Sequence, residues 1–458
     1  MGEFDKMSFD PYTGAVFLTK ALALSTCVAL IFRAKIRSIL LWLIGAVIVV
    51  LFLGNLCVLF PAEEFGFDYS LFWKIGQDVL AGQDPYASER FVEHPFANPP
   101  TALPLFAAFA LLPYRTSLAI WTISNTVICL ALALVAQRTL LCQDQSGDPR
   151  DRTGHASWVL SPAVIMALTA ALAVSDASLV GFYIGQVSLL AALALVAAIL
   201  AQSRGKPIWA GIWLSLATIK VGTMLPFLFL FHRKSDLLTW LSLTVIVLGL
   251  CLVTGAVTDL PDRLNTWLDR INDLAHPGQV NDYSFQGTQP ENIIGFDHAL
   301  FRLGLRDRQV IRLAQYMVLL VLGAWVTHQV IFSHRIPRAA SCSLVALYST
   351  VFLYHRNYDG LILVLPLVYS VGRARSAQGP ARWLFVGTAS AILLVLYSNK
   401  ALLQAAQRLS MTGAGWGLLV QAMILPYATW LVLVAMICLV CAVCKDQAGI
   451  QRINTTSK

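Results

Sequence analysis

The sequence predicts an all-α, polytopic membrane protein, and two features of its composition indicate this class. Of its 458 residues, 57% are hydrophobic and only 13% are charged, whereas soluble globular proteins carry roughly 45–50% apolar and about 25% charged residues. The mean hydropathy is +0.68. These values exclude a disordered chain, a disulfide scaffold and an ordinary soluble enzyme, because each of those classes is more polar or richer in cysteine.

The basic residues support the same class. The net charge is +8, and much of it lies in short clusters between apolar segments. The clusters fall at residues 33–37, 204–206, 232–234, 334–338 and 373–382. Loops with this bias face the cytosol, so the charge orients helices and does not indicate a nucleic-acid partner.

The apolar segments predict about 11–13 membrane helices, some of them short or broken, because several are shorter than the ~20 residues that cross a bilayer. Short pieces are tolerated only inside protein or along a cavity. If the basic clusters are cytosolic, the helix parity between residues 138 and 232 fails. It is restored if 158–174 and 207–231 are split or re-entrant, and Gly222 and Pro226 would suit a break just after Lys220.

The predicted organisation has three parts. They are an N-terminal segment (1–37), a single transmembrane domain (38–444) with long outer loops at 61–98 and 258–308, and a cytosolic tail (445–458). Lys20 interrupts an apolar stretch at 15–32, which is interpreted as either a membrane-associated or an additional spanning helix. Three cysteines in the last apolar segment follow one another at three-residue steps, so they lie along one helix face and we predict no metal site there.

The first outer loop predicts an amphipathic helix. Apolar residues recur with helical spacing between Tyr69 and Leu80, directly after Asp68. Gly82 is expected to end this helix, and Asp84-Pro85-Tyr86 to form a turn. Two prolines at 99–100 then begin the next apolar segment, a position that a first helical turn accepts.

This loop carries a family resemblance. Its order is Asp68 before an aromatic helix, then G-x-D-P-Y at 82–86, then F-x-x-P-P at 96–100 before a short apolar helix that ends in L-L-P. Further along come Gly185-Gln186, Lys220 and Asn292. Together these features resemble glycosyltransferase family 87, a group of membrane-embedded GT-C transferases that depend on polyprenyl-phosphate-mannose. In place of the family's N-Q-S run, this chain has Asn292 followed by two isoleucines.

The resemblance implies a GT-C-type helical bundle with an inverting hexosyltransferase activity, most directly a mannosyltransferase. It implies a polyprenyl-phosphate sugar donor, a glycolipid or polysaccharide acceptor, and transfer on the outer face of a bacterial plasma (inner) membrane. Such a donor carries no diphosphate, so we expect no cofactor and no obligatory metal. A transporter or flippase of a lipid-linked sugar is the alternative, although no internal repeat across two halves is visible.

Asp68 is the first candidate for the site. The resemblance places the catalytic Asp here, where an ionised carboxylate can act as general base on an acceptor hydroxyl. The alternative is a helix N-cap.

Lys220 lies in an apolar stretch, so it should face a cavity or the donor phosphate, unless it snorkels to the interface. Gly185 allows a close approach of the backbone, and Gln186 could bind sugar hydroxyls; helix packing through the glycine is the alternative. His355 and Arg356 are candidates for the donor phosphate, against a plain cationic loop, and Asn292 for sugar or acceptor contacts.

Three first-loop residues complete the set of candidates as further site residues: Asp84, Tyr86 and His94. For Asp84, a structural turn is the stronger interpretation, because an Asp-Pro-Tyr turn is explained by its own backbone hydrogen bonds. For His94, a solvated loop is the alternative.

Overall fold

The computed structural model of the chain is built almost entirely of helices, which account for 82% of it. The described residues are 13–31, 38–62, 64–87, 98–145, 159–253, 260–287, 292–333, 336–353, 355–397 and 420–456. With its long apolar helices, this architecture confirms the prediction of an all-α, polytopic membrane protein.

The elements follow one another in this order. The first half contains α1 (Thr13–Ile31), α2 (Ser38–Leu59), α3 (Phe67–Leu80), α4 (Leu103–Ala110), α5 (Tyr114–Gln145), α6 (Pro162–Ala173), α7 (Asp176–Ile184), α8 (Ser188–Ser203), α9 (Pro207–Ala217) and α10 (Val221–Met224). The second half contains α11 (Leu237–Val253), α12 (Leu260–Leu274), β1 (Ile293–Ile294), α13 (Phe296–Arg302), α14 (Arg308–Thr327), α15 (Arg338–Val351), β2 (His355–Arg356), α16 (Val364–Ser376), α17 (Gly379–Leu396) and α18 (Tyr427–Thr456). Short 3₁₀ or π segments connect several of them: Pro100–Ala102, Thr218–Lys220, Leu225–Leu230, Lys234–Asp236, His328–Phe332, Asn357–Leu363 and Val420–Ile424.

Seven helical segments in the described part of the chain are long and apolar enough to cross a membrane. They are Ser38–Leu59, Tyr114–Gln143, Pro207–Leu230, Lys234–Val253, Arg308–Phe332, Gly379–Leu396 and Tyr427–Ala448. A pair of helices, α6 and α7, is bent by 53° and would form an eighth span. Three shorter apolar helices add to these: Thr19–Leu30, Pro100–Ala110 and Ser188–Ser203.

The segment Pro207–Leu230 turns back inside the bundle. The Gln202 side chain, at the end of α8, donates hydrogen bonds both to the Leu230 carbonyl (3.3 Å) and to Asp236 Oδ1 (3.0 Å). Since Pro207 follows Gln202 by five positions, both ends of the segment lie at the same end of the bundle. Length and composition alone would allow one crossing, but the hydrogen bonds describe a return path with Lys220 at its turn. The predicted re-entrant or split helix therefore agrees with the geometry.

The helix after the first span packs against protein along its buried face. Tyr69, Phe72 and Ile75 of α3 are buried, and the Phe72 ring stacks on Phe106 of α4 with centroids 4.7 Å apart. Gly76 permits this approach, because a Cβ there would lie 2.3 Å from the Phe106 carbonyl oxygen. The apolar face of α3 therefore packs against α4.

Helix α1 joins the bundle through an ion pair. Lys20, which interrupts the first apolar stretch, contacts Asp176 at the start of α7 with an Nζ–Oδ1 distance of 2.5 Å. Ala23, Cys27 and Leu30 of the same helix are buried. A charge in this apolar helix is therefore explained by a partner on the neighbouring helix.

Candidate active site

Polar side chains from well-separated parts of the chain converge at one end of the bundle. They come from the start of α3, the junction of α7 and α8, the turn after α9, and the segment from β2 to the 3₁₀ helix Asn357–Leu363. Lys220, at the turn of the segment Pro207–Leu230, belongs to this end of the bundle. Gln202 and Asp236 lie at the opposite end. The four motifs that supplied Asp68, Gln186, Lys220 and the His355-Arg356 pair thus meet in one region.

Asp68 lies in the first turn of α3 and is half-buried. The side-chain amide of Gln186 donates a hydrogen bond to its Oδ2 atom. Burial raises the pKa of Asp68 above its ordinary value, and the hydrogen bond from Gln186 offsets only part of this rise. The positive charges of Arg356 and Lys220 also act to lower this pKa, so both cations face the same region. Asp68 is therefore a carboxylate with a higher than usual proton affinity.

Two glycines bring Gln186 to Asp68. Gly185 ends α7 in the left-handed conformation with φ 77°, and a Cβ there would lie 2.6 Å from Tyr69 Cβ. Gly66, also left-handed, donates its backbone N–H to the Tyr183 carbonyl (2.7 Å). Only glycine tolerates both the backbone angle and the close approach. The Gly-Gln motif thus works as the predicted close backbone contact, and it places the amide beside the carboxylate.

A second carboxylate, Asp359, contacts both Lys220 and His355. Its Oδ1 atom is 2.9 Å from Lys220 Nζ and accepts a 2.6 Å hydrogen bond from the Ser188 hydroxyl. Its Oδ2 atom is 3.6 Å from His355 Nδ1. Burial alone would raise the pKa of Asp359, but the Lys220 ammonium and the His355 ring, helped by the Ser188 hydroxyl, hold it well below its ordinary value.

The short sheet places the remaining predicted residues. Strands β1 and β2 pair antiparallel, with Ile294 opposite His355. This pairing brings Asn292 within reach of Asn357, whose amide donates to Asn292 Oδ1 (3.3 Å). The Arg356 guanidinium donates to the carbonyl of Val280, so it also ties β2 to the second long loop.

The first-loop candidates lie in a structural turn. Asp84 Oδ1 accepts the backbone N–H of Tyr86 (3.1 Å), and the fully buried Tyr86 donates its hydroxyl to the Asn98 carbonyl (2.9 Å). Asn98 in turn donates to the Ile219 carbonyl (3.3 Å), one residue before Lys220. Asp84 and Tyr86 are therefore linked through Asn98 to the turn that carries Lys220. His94 lies outside the described residues.

An apolar groove of about 640 Å³ includes in its lining Leu353, two positions before His355 of the cluster. Its lining includes Phe229, Leu319, Gly323, Tyr348 and Leu353, with Thr327 and His328 near the far end. Leu353 adopts a left-handed φ of 60°, a conformation that costs a non-glycine residue roughly 1–2 kcal/mol. The groove thus runs between α14 and α15 and opens next to β2.

The sequence interpretation missed two members of the cluster, Ser188 and Asp359. Ser188 follows Gly185-Gln186 by two positions, and Asp359 is an acid between apolar segments in a chain with few charges. Asp359 could have been predicted because charged residues are rare in this chain. Ser188 could have been predicted because it closely follows the Gly185-Gln186 turn. Within the described residues, no three His, Cys, Asp or Glu side chains form a group that could hold a metal ion.

The comparison with known proteins now identifies the family. The model of Glycosyltransferase family 87 matches residues 96–354, more than half of the chain, including Gln186, Lys220 and Asn292. The match begins after Asp68 and ends just before His355. No curated protein and no solved structure matches the chain. The chain belongs to glycosyltransferase family 87, and this integral, multi-pass membrane protein is a glycosyltransferase.

Proposed function

We propose that the enzyme moves a hexose, with mannose as the first sugar to test, from a polyprenyl-phosphate donor to a hydroxyl of a glycolipid or polysaccharide acceptor. The transfer takes place on the outer face of the membrane and inverts the anomeric carbon. One observation carries this proposal: a half-buried carboxylate of raised pKa, Asp68, lies beside two cations, Lys220 and Arg356, that face the same region.

Asp68 is the proposed general base. Gln186 occupies its Oδ2 atom, which leaves Oδ1 to accept the proton of the acceptor hydroxyl. A base with a proton affinity above that of a free carboxylate takes the proton more readily in the transition state. Asp359 is less suited to this role, because both of its oxygens already contact donors and its pKa is held low.

The cations are proposed to stabilise the leaving phosphate. As the acceptor oxygen bonds to the anomeric carbon, the bond from that carbon to the phosphate oxygen breaks. Its electron pair stays on the phosphate, whose negative charge grows. Lys220, Arg356 and the N-terminus of the 16-residue α8 can offset this charge, and His355 and Asn292 lie close enough to complete the donor site.

The groove supports the choice of a lipid-linked donor. Its lining is largely apolar and includes Leu353, two positions before His355. An isoprenoid chain could lie in this groove without leaving an apolar environment, because the groove follows the candidate membrane span Arg308–Phe332.

The test is transfer by the purified full-length enzyme in detergent. Labelled polyprenyl-phosphate mannose is incubated with lipids extracted from cells that lack the protein, and the product anomer is assigned by NMR. We expect an inverted glycoside to form without sealed vesicles. If mannose and the other polyprenyl-phosphate hexoses all give no product while the protein moves them across proteoliposomes, the proposal is wrong and the flippase alternative holds.

A further inference from the structure

A polar cavity of about 370 Å³ lies at the end of the bundle opposite to the candidate active site. Helix α8 connects the two places. Ser188, its first residue, contacts Asp359, and Ser203, its last residue, lines the cavity. At a rise of 1.5 Å per residue, the length of α8 separates the two places by roughly 22 Å. The cavity is therefore distinct from the site of transfer.

Two arginines from remote parts of the chain line this cavity. Arg233 directly precedes the 3₁₀ turn Lys234–Asp236, and Arg338 is the first residue of α15. Arg233 is exposed and Arg338 is half-buried. Among the described residues, neither guanidinium forms an ion pair with a carboxylate. Both positive charges are therefore available to a ligand in the cavity.

Asp236, the acidic residue of the lining, is already engaged elsewhere. It is buried, with 3% exposed. Its Oδ1 atom accepts a hydrogen bond from the Gln202 amide (3.0 Å), and its Oδ2 atom accepts the backbone N–H of Arg233 (2.9 Å). Asp236 thus fixes the turn that presents Arg233, and its single negative charge leaves an excess of positive charge at the cavity.

The surroundings of the cavity also favour an anion. The first residues of α9 and α15, Pro207 and Arg338, belong to its lining, and helix N-termini carry a partial positive charge. A positive-inside bias explains cations at this end of the bundle, but it does not require two arginines at one shared cavity. Cavities that hold small ligands measure about 300–1,000 Å³, so this cavity suits a small anionic group.

We infer that this cavity binds a phosphate group, with Arg233 and Arg338 donating charge-assisted hydrogen bonds to its oxygens. The headgroup of an anionic phospholipid and a free phosphate both present this chemistry. A phosphate held there would connect the end of α8, the start of α9, the turn before α11 and the start of α15. We therefore expect the ligand to stabilise the bundle, since a ligand that binds only the folded state raises its stability.

The test follows Tm of the delipidated, full-length enzyme in a nonionic detergent. One series is titrated with sodium phosphate and compared with sodium chloride at the same ionic strength. The other is titrated with a short-chain phosphatidylglycerol and compared with the matching phosphatidylcholine. We expect one of the two phosphate probes to raise Tm with saturation. The probe with the lower apparent Kd identifies the source as a free phosphate or a lipid headgroup.

Three variants link the effect to the cavity. Arg233→Gln and Arg338→Gln should each weaken the apparent affinity at least tenfold, measured against the ligand-free Tm of the same variant. Because Arg233 is exposed, its replacement tests the cavity even if Arg338→Gln does not fold. Arg204→Gln is the matched control, since Arg204 is an exposed cation at the same end but outside the cavity lining.

Three results would overturn the inference. They are a wild-type Tm that neither probe raises, an affinity that Arg233→Gln leaves unchanged, and a loss in Arg204→Gln as large as that in Arg233→Gln. The last result would show that the probe responds to general surface charge and not to the cavity.

Discussion

Two aspartates at the site differ only in what surrounds them. Asp359 contacts an ammonium, an imidazole and a hydroxyl, and its pKa is held low. Burial raises the pKa of Asp68, which receives a neutral amide hydrogen bond instead. Such a pair of groups, with proton affinities pushed apart, separates a structural counter-ion from a base. We therefore propose Asp68, and not Asp359, as the group that takes the proton.

The proton affinity of Asp68 predicts the pH dependence of transfer. A base must be deprotonated, so kcat/KM should fall as the pH drops through the pKa of Asp68, at a pH above that of an ordinary aspartate. In Gln186→Met the hydrogen bond that lowers this pKa is lost, so the acidic limb should move to higher pH. The measurement is the pH profile of transfer for both proteins. An acidic limb that stays in place in Gln186→Met would contradict the assignment.

At the residue scale, the sequence predicted individual site residues better than the residues that contact them. Asp68, Gln186 and Lys220 stand out locally, because each is a polar residue beside an apolar segment or a motif. The bond between Ser188 and Asp359 joins positions 171 residues apart, and no local pattern announces a contact of that range. The sequence therefore predicted the cations but not the carboxylate that holds them.

At the scale of elements, the site depends on the contact between the start of α3 and the junction of α7 and α8. Gly66 and Gly185 meet there, and the Trp121 indole donates to the Gly185 carbonyl (3.1 Å). The sequence predicted a helix after Asp68 and a close approach at Gly185. It did not predict that the start of α3 and Gly185 contact each other, because that contact depends on how α3, α7 and α8 pack.

Gly185→Ala tests this contact. Its Cβ would lie 2.6 Å from Tyr69 Cβ at a positive φ, so we expect a loss of stability on the order of 2–4 kcal/mol and a fall in transfer rate. The measurements are Tm in detergent and the transfer assay. Gly82→Ala is the matched control: Gly82 has φ 72° but no neighbour within 4 Å, so only the backbone cost of about 1 kcal/mol remains. Equal losses in the two variants would show that the contact is unimportant.

At the scale of the whole molecule, composition and basic clusters were enough to predict the class, because a bilayer constrains every backbone polar group. The sequence predicted the turn after Lys220 from the helix parity between residues 138 and 232 and from the helix-breaking residues Gly222 and Pro226. The convergence of the site at that turn could not be predicted, since the distance between sequence-remote helix ends is set by packing.

The return path of Pro207–Leu230 predicts which residues share a side of the membrane. In a variant without native cysteines, single cysteines are placed at the exposed positions Lys206 and Ser235. Both should react with a membrane-impermeant maleimide from the same side of sealed vesicles. Gln83→Cys, exposed beyond the end of α3, should react from the opposite side. Reaction of positions 206 and 235 from different sides would contradict the return path.

Replacement of one carboxylate tests the central claim most directly. In the transfer assay, Asp68→Asn keeps the shape of the side chain but cannot take a proton, so we predict a rate lower by about 10²- to 10⁴-fold, with donor affinity and Tm preserved. Asp269→Asn, an exposed change on α12, is the matched control and should transfer at the wild-type rate. Near-normal transfer by Asp68→Asn would contradict the account.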